Sequence, residues 1–486
     1  MIDRLSPLHV VVIGAGVTGL AAAYYLKQSA AARDLPVTIT LLESSSRAGG
    51  ALETIRRGGL IMETGADSFL SEKPAARDLA LRLGIADELI NTQTQFRHTM
   101  VVRQGRLLPI PEGFSLMAPT WMGPVWRSRL FSPLGKLRIA AEPWIPRRRA
   151  LNHADADDES LASFVTRRLG REVLDRVAQP LAAGIYTADP ATLSINATLP
   201  RFSAMERDHG SLIRGLRAAA ETRNAQSRGT SGARWSLFLS FRKGMSALTD
   251  ALASNLSESI RFGHAVTEII QIPESSRWLV RCADSSWLAA DAVICAAPAY
   301  AAAPILEGAA AALAARLREL TYASAATVNL AWRVGAFATS PTSFGFVVPI
   351  IERRKIIAGS FSSLKFEGRA PAGTIVARVF IGGALQSDMM ALDDAQMARI
   401  ARDEFRDLFG VTAEPLYTCV RRWPDAMPQY LVGHRARISA IEAEVAKLDR
   451  LTLAGAWHSG VGIPDCIASG QRAADSTLAR LAELYL

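Results

Sequence analysis

The chain opens on VVIGAGVTGLAAAYYL and soon reaches VTITLLE. This pairing constrains the fold more than any other feature. Residues 10–13 are continuously apolar, as a buried parallel strand requires. Gly14, Gly16 and Gly19 then spell G-x-G-x-x-G at the entry to a helix. The first glycine permits a tight turn, the second lets backbone approach a pyrophosphate, and the third lets helix and strand pack closely. Ala15, Val17 and Thr18 lie between them and share the helix N-terminus, whose free N–H groups and partial positive charge suit phosphate. Residues 37–42 read as a second strand. Glu43 follows, where a carboxylate accepts hydrogen bonds from ribose hydroxyls. A glycine turn alone says little. Strand, turn, helix, second strand and acid in register describe a Rossmann-type dinucleotide site, against the blander alternative of a glycine-rich turn in another α/β protein.

The next stretch bears on which dinucleotide. Glu43 is followed by Ser44, Arg47, Gly49, Gly50 and Ala51, and further on by Gly65, Ala66, Asp67 and Ser68. This pattern resembles flavoproteins of the amine oxidase and phytoene desaturase type. The resemblance implies that the paired glycines let the chain pass the FAD pyrophosphate, that Arg47 balances its charge, and that N–H groups of the 65–68 turn meet the flavin. An NAD dehydrogenase needs neither element, so FAD is the expected cofactor.

Composition narrows the class. Hydrophobic residues make up 49% and charged residues 21% of 486 residues, which suits a globular chain with a large core. The net charge of +9 and pI of about 9.6 admit nucleic acid, an anionic membrane or an acidic substrate as partners, or simply a basic surface. No zinc-finger or RNP signature accompanies the charge, so nucleic acid is set aside. Cys282, Cys295, Cys419 and Cys466 are far apart and show no C-x-x-C, which fits a reducing cytoplasm and neither a disulfide framework nor a metal site. The chain enters the nucleotide motif within a few residues, and no signal or transit peptide is expected. The most apolar stretch, 292–317, is interrupted by Pro298, Pro304 and Glu307 and does not read as a transmembrane helix.

Along the chain, the expected class is α/β and α+β: a discontinuous Rossmann-type FAD-binding domain, a substrate-binding α+β domain and a helical, membrane-associating subdomain. The FAD-binding parts are placed at 1–92, 206–298 and 439–486. Substrate-domain strands are placed at 93–112, the helical subdomain at 113–205, and the main substrate-binding region at 299–438. Residues 113–149 mix Trp121, Trp126, Phe131 and Trp144 with Arg127, Arg129, Lys136, Arg138 and Arg147–Arg149, with Glu142 as the lone acid. Aromatics among cations suit a membrane interface; a solvated basic face is the competing reading. NHADADDES then leads to a helix over Leu161–Leu169, and AQSRGTSGAR near position 230 reads as a loop.

Further stretches narrow the family. ETGADSFL, PLAAGIYTADPATLS, HGSLIRG, RRWPDAMPQY and GVGIPDCIASG occur in this order across nearly the whole chain. Together they resemble the oxygen-dependent protoporphyrinogen and coproporphyrinogen oxidases. The resemblance implies six-electron oxidation of protoporphyrinogen IX to protoporphyrin IX, with three O2 reduced to three H2O2; coproporphyrinogen III is the alternative substrate. It places non-covalent FAD also against Val266, Trp423, Val461, Gly462 and Ile463. It implies a substrate site walled by Gly184, Ile185, Val347 and Phe366, with Phe366 packing on a pyrrole ring and a backbone carbonyl of the Gly184–Ile185 segment meeting the ring nitrogens. Where plant enzymes carry a propionate-binding arginine this chain has Thr99, so Arg97 is the candidate beside it. No protein side chain is assigned as catalytic, because a flavin accepts hydride by itself, and no metal is expected. Peripheral attachment to the cytoplasmic face of a membrane and assembly as a homodimer remain open.

Two rivals from the same fold and one from another class stay in view. A monoamine or polyamine oxidase would need an amine cage and often a covalent flavin on a C-terminal cysteine. Cys466 follows Ile463-Pro464-Asp465, which is not that context. A carotenoid desaturase lacks the GVGIPDCI ending. A non-catalytic FAD-binding scaffold would carry the same cofactor residues.

Overall fold

In a computed structural model the chain is described over residues 7–148, 158–227, 236–272, 275 and 277–484. Residues 152–157 of the acidic stretch and residues 228–234 of the loop expected near 230 lie outside these residues.

Five parallel strands form the nucleotide-binding sheet in the order Ile260–Phe262, Val37–Glu43, Leu8–Ile13, Ala292–Cys295, Leu451–Leu453. Strands buried on both faces read as continuous apolar runs, and VVVI does so. Val10 and Val12 face one core, shared with the helices Val17–Ala31, Ser246–Asn255 and Ile463–Ala482. Val11 and Ile13 face the other, covered by Ala299–Leu306 and Ala311–Arg318. The central strand has the second strand of the chain on one side and a strand almost 280 residues later on the other. A crevice at the carboxyl ends of such strands is where α/β sheets bind ligands.

A seven-stranded sheet builds the second body. Its order is Tyr417–Pro428, Tyr322–Arg333, Thr374–Gly382, Ala358–Phe361, Gly345–Val347, Thr99–Arg103, Arg106–Pro109. Alternation along Thr374–Gly382 sends Ile375, Ala377, Val379 and Ile381 into a core capped by the helix Asp394–Phe409. Arg378 and Phe380 point to the opposite face. That face meets a helical layer whose core holds Val125, Phe164, Val177, Ala182, Phe202, Leu212 and Leu216.

Three expected boundaries shift. Position 205/206 falls inside the helix Pro200–His209, and the next helix, Leu212–Ser227, packs into the helical layer rather than the FAD domain. The helices Ala299–Leu306 and Ala311–Arg318 bury their apolar faces on the parallel sheet, so the substrate sheet resumes only at Tyr322. Position 438/439 falls inside His434–Val445.

The 113–149 segment is helical in part, with helices Met122–Arg127 and Pro133–Ala140. Its lone acid, Glu142, is fully buried, paired with the equally buried Arg168 and accepting from Ser211 Oγ and from the N–H of Leu212 at 2.9 Å. Arg138 is turned inward onto the carbonyls of Arg167 and Arg168, and Arg148 reaches Glu159. The outer face keeps Leu134, Leu137, Trp126 and Trp144, with Leu134 78% and Trp144 76% exposed. No helix among the described residues is long and apolar enough to cross a membrane.

Candidate active site

The glycine turn is built by its own neighbours. Gly14 adopts φ +95° and donates to Leu42 O at 2.7 Å. A Cβ on Gly19 would lie 1.9 Å from Gly14 O, so the third glycine is required by packing alone. Gly16 differs: it caps the helix at an ordinary φ of −66°, and a Cβ there would meet nothing within 4 Å. Nothing in the protein demands a glycine at 16, and the space it leaves is where the motif puts a pyrophosphate. The N–H groups of Thr18 and Gly19 find no acceptor among the described residues at that helix N-terminus, as Val17 opens the first turn.

Glu43 is pinned rather than pendant. One carboxylate oxygen accepts from Ala15 N–H at 2.7 Å, the other from Ser45 N–H at 2.8 Å, with Ser44 Oγ at 3.4 Å. Gly49 donates to Ala15 O at 2.8 Å, and a Cβ on Gly50 would lie 3.2 Å from Gly16 Cα. The two glycine loops therefore touch. The Arg47 guanidinium donates to the carbonyls of Ala48, Gly50 and Leu52 and lies 3.5 Å from Glu53, so it also shapes the loop. Val266 begins a strand paired on one side only. Ala283 N–H goes to Ala265 O and Cys282 N–H to Ser286 O, so the backbone groups of Val266 face the unpaired edge, where an adenine can be met.

The 65–68 turn is braced through carbonyls in and just before it, and through the side chains of Asp67 and Ser68, which Lys365 Nζ meets at 2.9 Å. Glu63 O accepts from Asn329 Nδ2 at 3.2 Å and Arg378 Nη1 at 3.3 Å; Thr64 O accepts from Thr327 Oγ1 at 2.7 Å and Trp423 Nε1 at 2.8 Å; Asp67 O accepts from Ser240 Oγ at 2.8 Å. A Cβ on Gly65 would lie 1.9 Å from Ala51 O, so the turn packs directly on the second glycine loop. With the carbonyls turned inward, the N–H groups of Gly65, Ala66, Asp67 and Ser68 find no acceptor among the described residues. Four adjacent donors are thus left free to meet a ligand acceptor. Val461 and Gly462 precede the helix Ile463–Ala482, which crosses Val17–Ala31 so tightly that a Cβ on Gly470 would lie 2.3 Å from Thr18 O. That crossing brings the C-terminal motif to the first glycine turn. Cys466 is buried, and burial pushes its thiol up to about 12, so it is no thiolate for covalent attachment.

A second surface adjoins this cradle. Gly184 and Ile185 end a helix that begins in a π-turn, Leu174–Ala178, and are both exposed. Their carbonyls accept no hydrogen bond among the described residues. A methyl added to Gly184 would lie 3.9 Å from Val347 Cγ1 and Ala358 Cβ. Phe380 and Val461 pack on the same cluster. Phe380 stands two residues from Arg378 on one strand face, and the Arg378 guanidinium lies 4.6 Å from its ring centroid. One strand step thus links the apolar wall to the turn that Arg378 braces.

Phe366 is not in that wall. Its side chain is 0% exposed, with Lys365 Nζ 5.3 Å and Arg369 5.5 Å from the ring centroid. The ring is fully buried beside these two cations, and it has no surface for a substrate. Phe380 is the half-buried aromatic at the wall, and sequence reading missed it because aromatic residues in an apolar strand carry no separate signal. Arg97 is exposed and free of side-chain partners at the edge of the sheet, two residues before Thr99, which pairs with Gly345.

Residues 17–478 match the model of the flavin-containing amine oxidoreductases. A coproporphyrinogen III oxidase of Bacillus subtilis is 33% identical, with 97% of this chain and 98% of the relative covered. The chain belongs to this flavoprotein family, in its porphyrinogen oxidase branch. FAD is its cofactor. A chloroplastic/mitochondrial protoporphyrinogen oxidase 2 of Arabidopsis thaliana is 27% identical, with coverage of 99% and 96%. The crystal structure of an Exiguobacterium sp. 255-15 protein with a provisional protoporphyrinogen oxidase name superposes at a TM-score of 0.83 and 28% identity, covering 98% of this chain and 99% of that one.

Proposed function

We propose that the chain is an FAD-dependent oxidase of porphyrinogens, with coproporphyrinogen III as its substrate and molecular oxygen as final acceptor. The observation that carries the reaction type is the adjacency of two unsatisfied surfaces. The four free N–H groups of residues 65–68 lie one strand step, through Arg378 and Phe380, from an apolar wall of Gly184, Val347 and Ala358. A flavin takes up hydride, and a large apolar ring needs a wall with few polar groups. The unaccepting carbonyls of Gly184 and Ile185 suit pyrrole N–H donors. This chain's part is to orient the ring, exclude water and hold the flavin; no Ser-His-Asp set or metal cluster is present among the described residues. The preference for coproporphyrinogen over the protoporphyrinogen first expected from sequence rests on the higher identity to the bacterial relative so named. The plant relative keeps protoporphyrinogen as the second reading.

The test is purified protein in air with each porphyrinogen in turn, followed by porphyrin fluorescence after subtracting spontaneous oxidation. Faster turnover of coproporphyrinogen supports the proposal; preference for protoporphyrinogen reverses the assignment. Failure of either to bleach the flavin anaerobically would leave an FAD-binding scaffold.

The reading extends to location. The exposed Leu134, Leu137, Trp126 and Trp144, beside Arg127, Arg129 and Lys136, suit peripheral contact with an anionic membrane on its cytoplasmic face. Leu134→Asp with Leu137→Asp should abolish cosedimentation with anionic vesicles at unchanged melting temperature, and unchanged cosedimentation would remove this surface from the proposal.

A further inference from the structure

A cluster of buried charges lies directly behind the 65–68 turn. Lys365 Nζ donates to Asp67 Oδ1 at 2.9 Å and to Ser68 Oγ at 2.9 Å, and Ser68 Oγ donates in turn to Asp67 Oδ1 at 2.7 Å. Arg378 Nη2 stands 3.3 Å from Asp67 Oδ2, and Arg369 Nη1 stands 3.5 Å from Glu63 Oε1. All five charged side chains are at most 13% exposed. Burying ions is expensive unless each is paired and hydrogen-bonded. Three cations here face two carboxylates, so the cluster carries an uncompensated positive charge. Burial raises the Glu63 carboxyl above the usual range, only partly offset by Arg369, whereas Lys365 and Arg378 outweigh burial at Asp67 and hold it ionised. Nor do the aromatic neighbours supply the missing charge. Phe238, Phe366 and Phe380 offer ring faces to Lys365, Arg369 and Arg378, which soften the desolvation without neutralising it.

Lys365 and Arg378 fix the carboxylate and carbonyls of the turn, and the turn's N–H groups point away from them, unpartnered. We propose that Lys365 is a positioning residue of the flavin site: it clamps Asp67 and Ser68 so that the 65–68 N–H groups face the flavin, and its charge favours the reduced cofactor. A flavin that has accepted hydride is more negative than the oxidised form, and a buried positive charge close behind its donors stabilises that negative charge. This inference rests on FAD occupying the cradle, and not on which porphyrinogen is oxidised.

The test uses the holoenzyme and two variants. Lys365→Gln keeps a donor for Asp67 and Ser68 but removes the charge; Arg378 still pairs Asp67, so no carboxylate is abandoned. The flavin midpoint potential should fall, by on the order of tenfold in the reduced-to-oxidised ratio at fixed potential, about 30 mV for a two-electron couple. Lys365→Arg should restore it. Potential is read by equilibrium dye titration without any porphyrinogen, so failure here is separable from failure of the substrate assignment. An unchanged potential in a flavin-replete Lys365→Gln protein overturns the proposal. If Lys365→Gln loses flavin, FAD titration decides. Weaker binding rescued by Lys365→Arg supports the clamp, and loss in both variants together with a lowered melting temperature assigns Lys365 a structural role only.

Discussion

Gly16 and Gly19 belong to one motif but answer to different forces, and Gly16→Ala set against Gly19→Ala separates them. At 16 the added methyl meets no protein atom within 4 Å, and the φ of −66° is open to any residue. The apoprotein should be unharmed, and stabilised by about 0.4–1 kcal/mol through a less flexible unfolded chain. With FAD the methyl enters the space left for pyrophosphate. Overpacking of that kind costs about 1–3 kcal/mol, which is roughly five- to 150-fold in the FAD dissociation constant. At 19 the methyl would sit 1.9 Å from Gly14 O and 3.2 Å from Ala296 Cβ, both inside the parallel-sheet core. Backbone cannot rotate away, so strand and helix must part, at a cost of about 3 kcal/mol or more with or without cofactor. The assay is thermal denaturation of deflavinated protein alongside FAD titration by flavin fluorescence quenching. The expected pattern is a stable Gly16→Ala protein that binds FAD poorly and a Gly19→Ala protein unstable in both states. Wild-type FAD affinity in Gly16→Ala, or equal destabilisation of the two apoproteins, would refute the reasoning.

Two other side chains give contrasting outcomes. His434 is buried, stacked on Tyr430 at 4.0 Å between centroids, and burial lowers its pKa to about 4. A histidine depressed in the folded state takes up its proton more readily when unfolded. Its contribution of about 3 kcal/mol is therefore complete above pH ~6.5 and lost as pH falls toward 4. The melting temperature of wild type should drop across that window more steeply than that of His434→Phe; parallel curves would exclude His434 as the cause. Phe366→Ala should cost about 3–5 kcal/mol and lower flavin content with it, whereas Phe380→Ala should slow porphyrinogen turnover at near-normal melting temperature. A stable, flavin-replete Phe366→Ala protein with a selective kinetic defect would return Phe366 to the substrate wall.

The site is legible in sequence where its chemistry is local. Gly14, Gly16, Gly19 and Glu43 sit within a single strand–helix–strand unit, so their spacing already carries the geometry. The bounds Val37–Glu43 and Leu161–Leu169 follow from apolar periodicity and punctuation for the same reason. What is not local was misread. The helices Ala299–Leu306 and Ala311–Arg318 are apolar enough to cover either sheet, and only the packing against Val11 and Ile13 says which.

Phe366 and Arg378 show the limit from opposite sides. Phe366 had a role by resemblance, but whether a ring faces substrate depends on what closes over it, and here the ring is fully buried beside Lys365 and Arg369. Arg378 had no role assigned, although its setting carried a signal. TIVARVFIG is a strand buried along nearly its whole length, and an arginine in such a run must meet a partner of opposite charge or a set of carbonyls. Asp67, already singled out in the glycine turn, is that partner. A lone charge in an apolar strand and a lone acid in a glycine turn, far apart in sequence, thus imply one another. Their pairing in the interior ties the seven-stranded sheet to the 65–68 turn, so the apolar wall beside Phe380 and the N–H groups of the turn are placed relative to one another by the same buried ion pair.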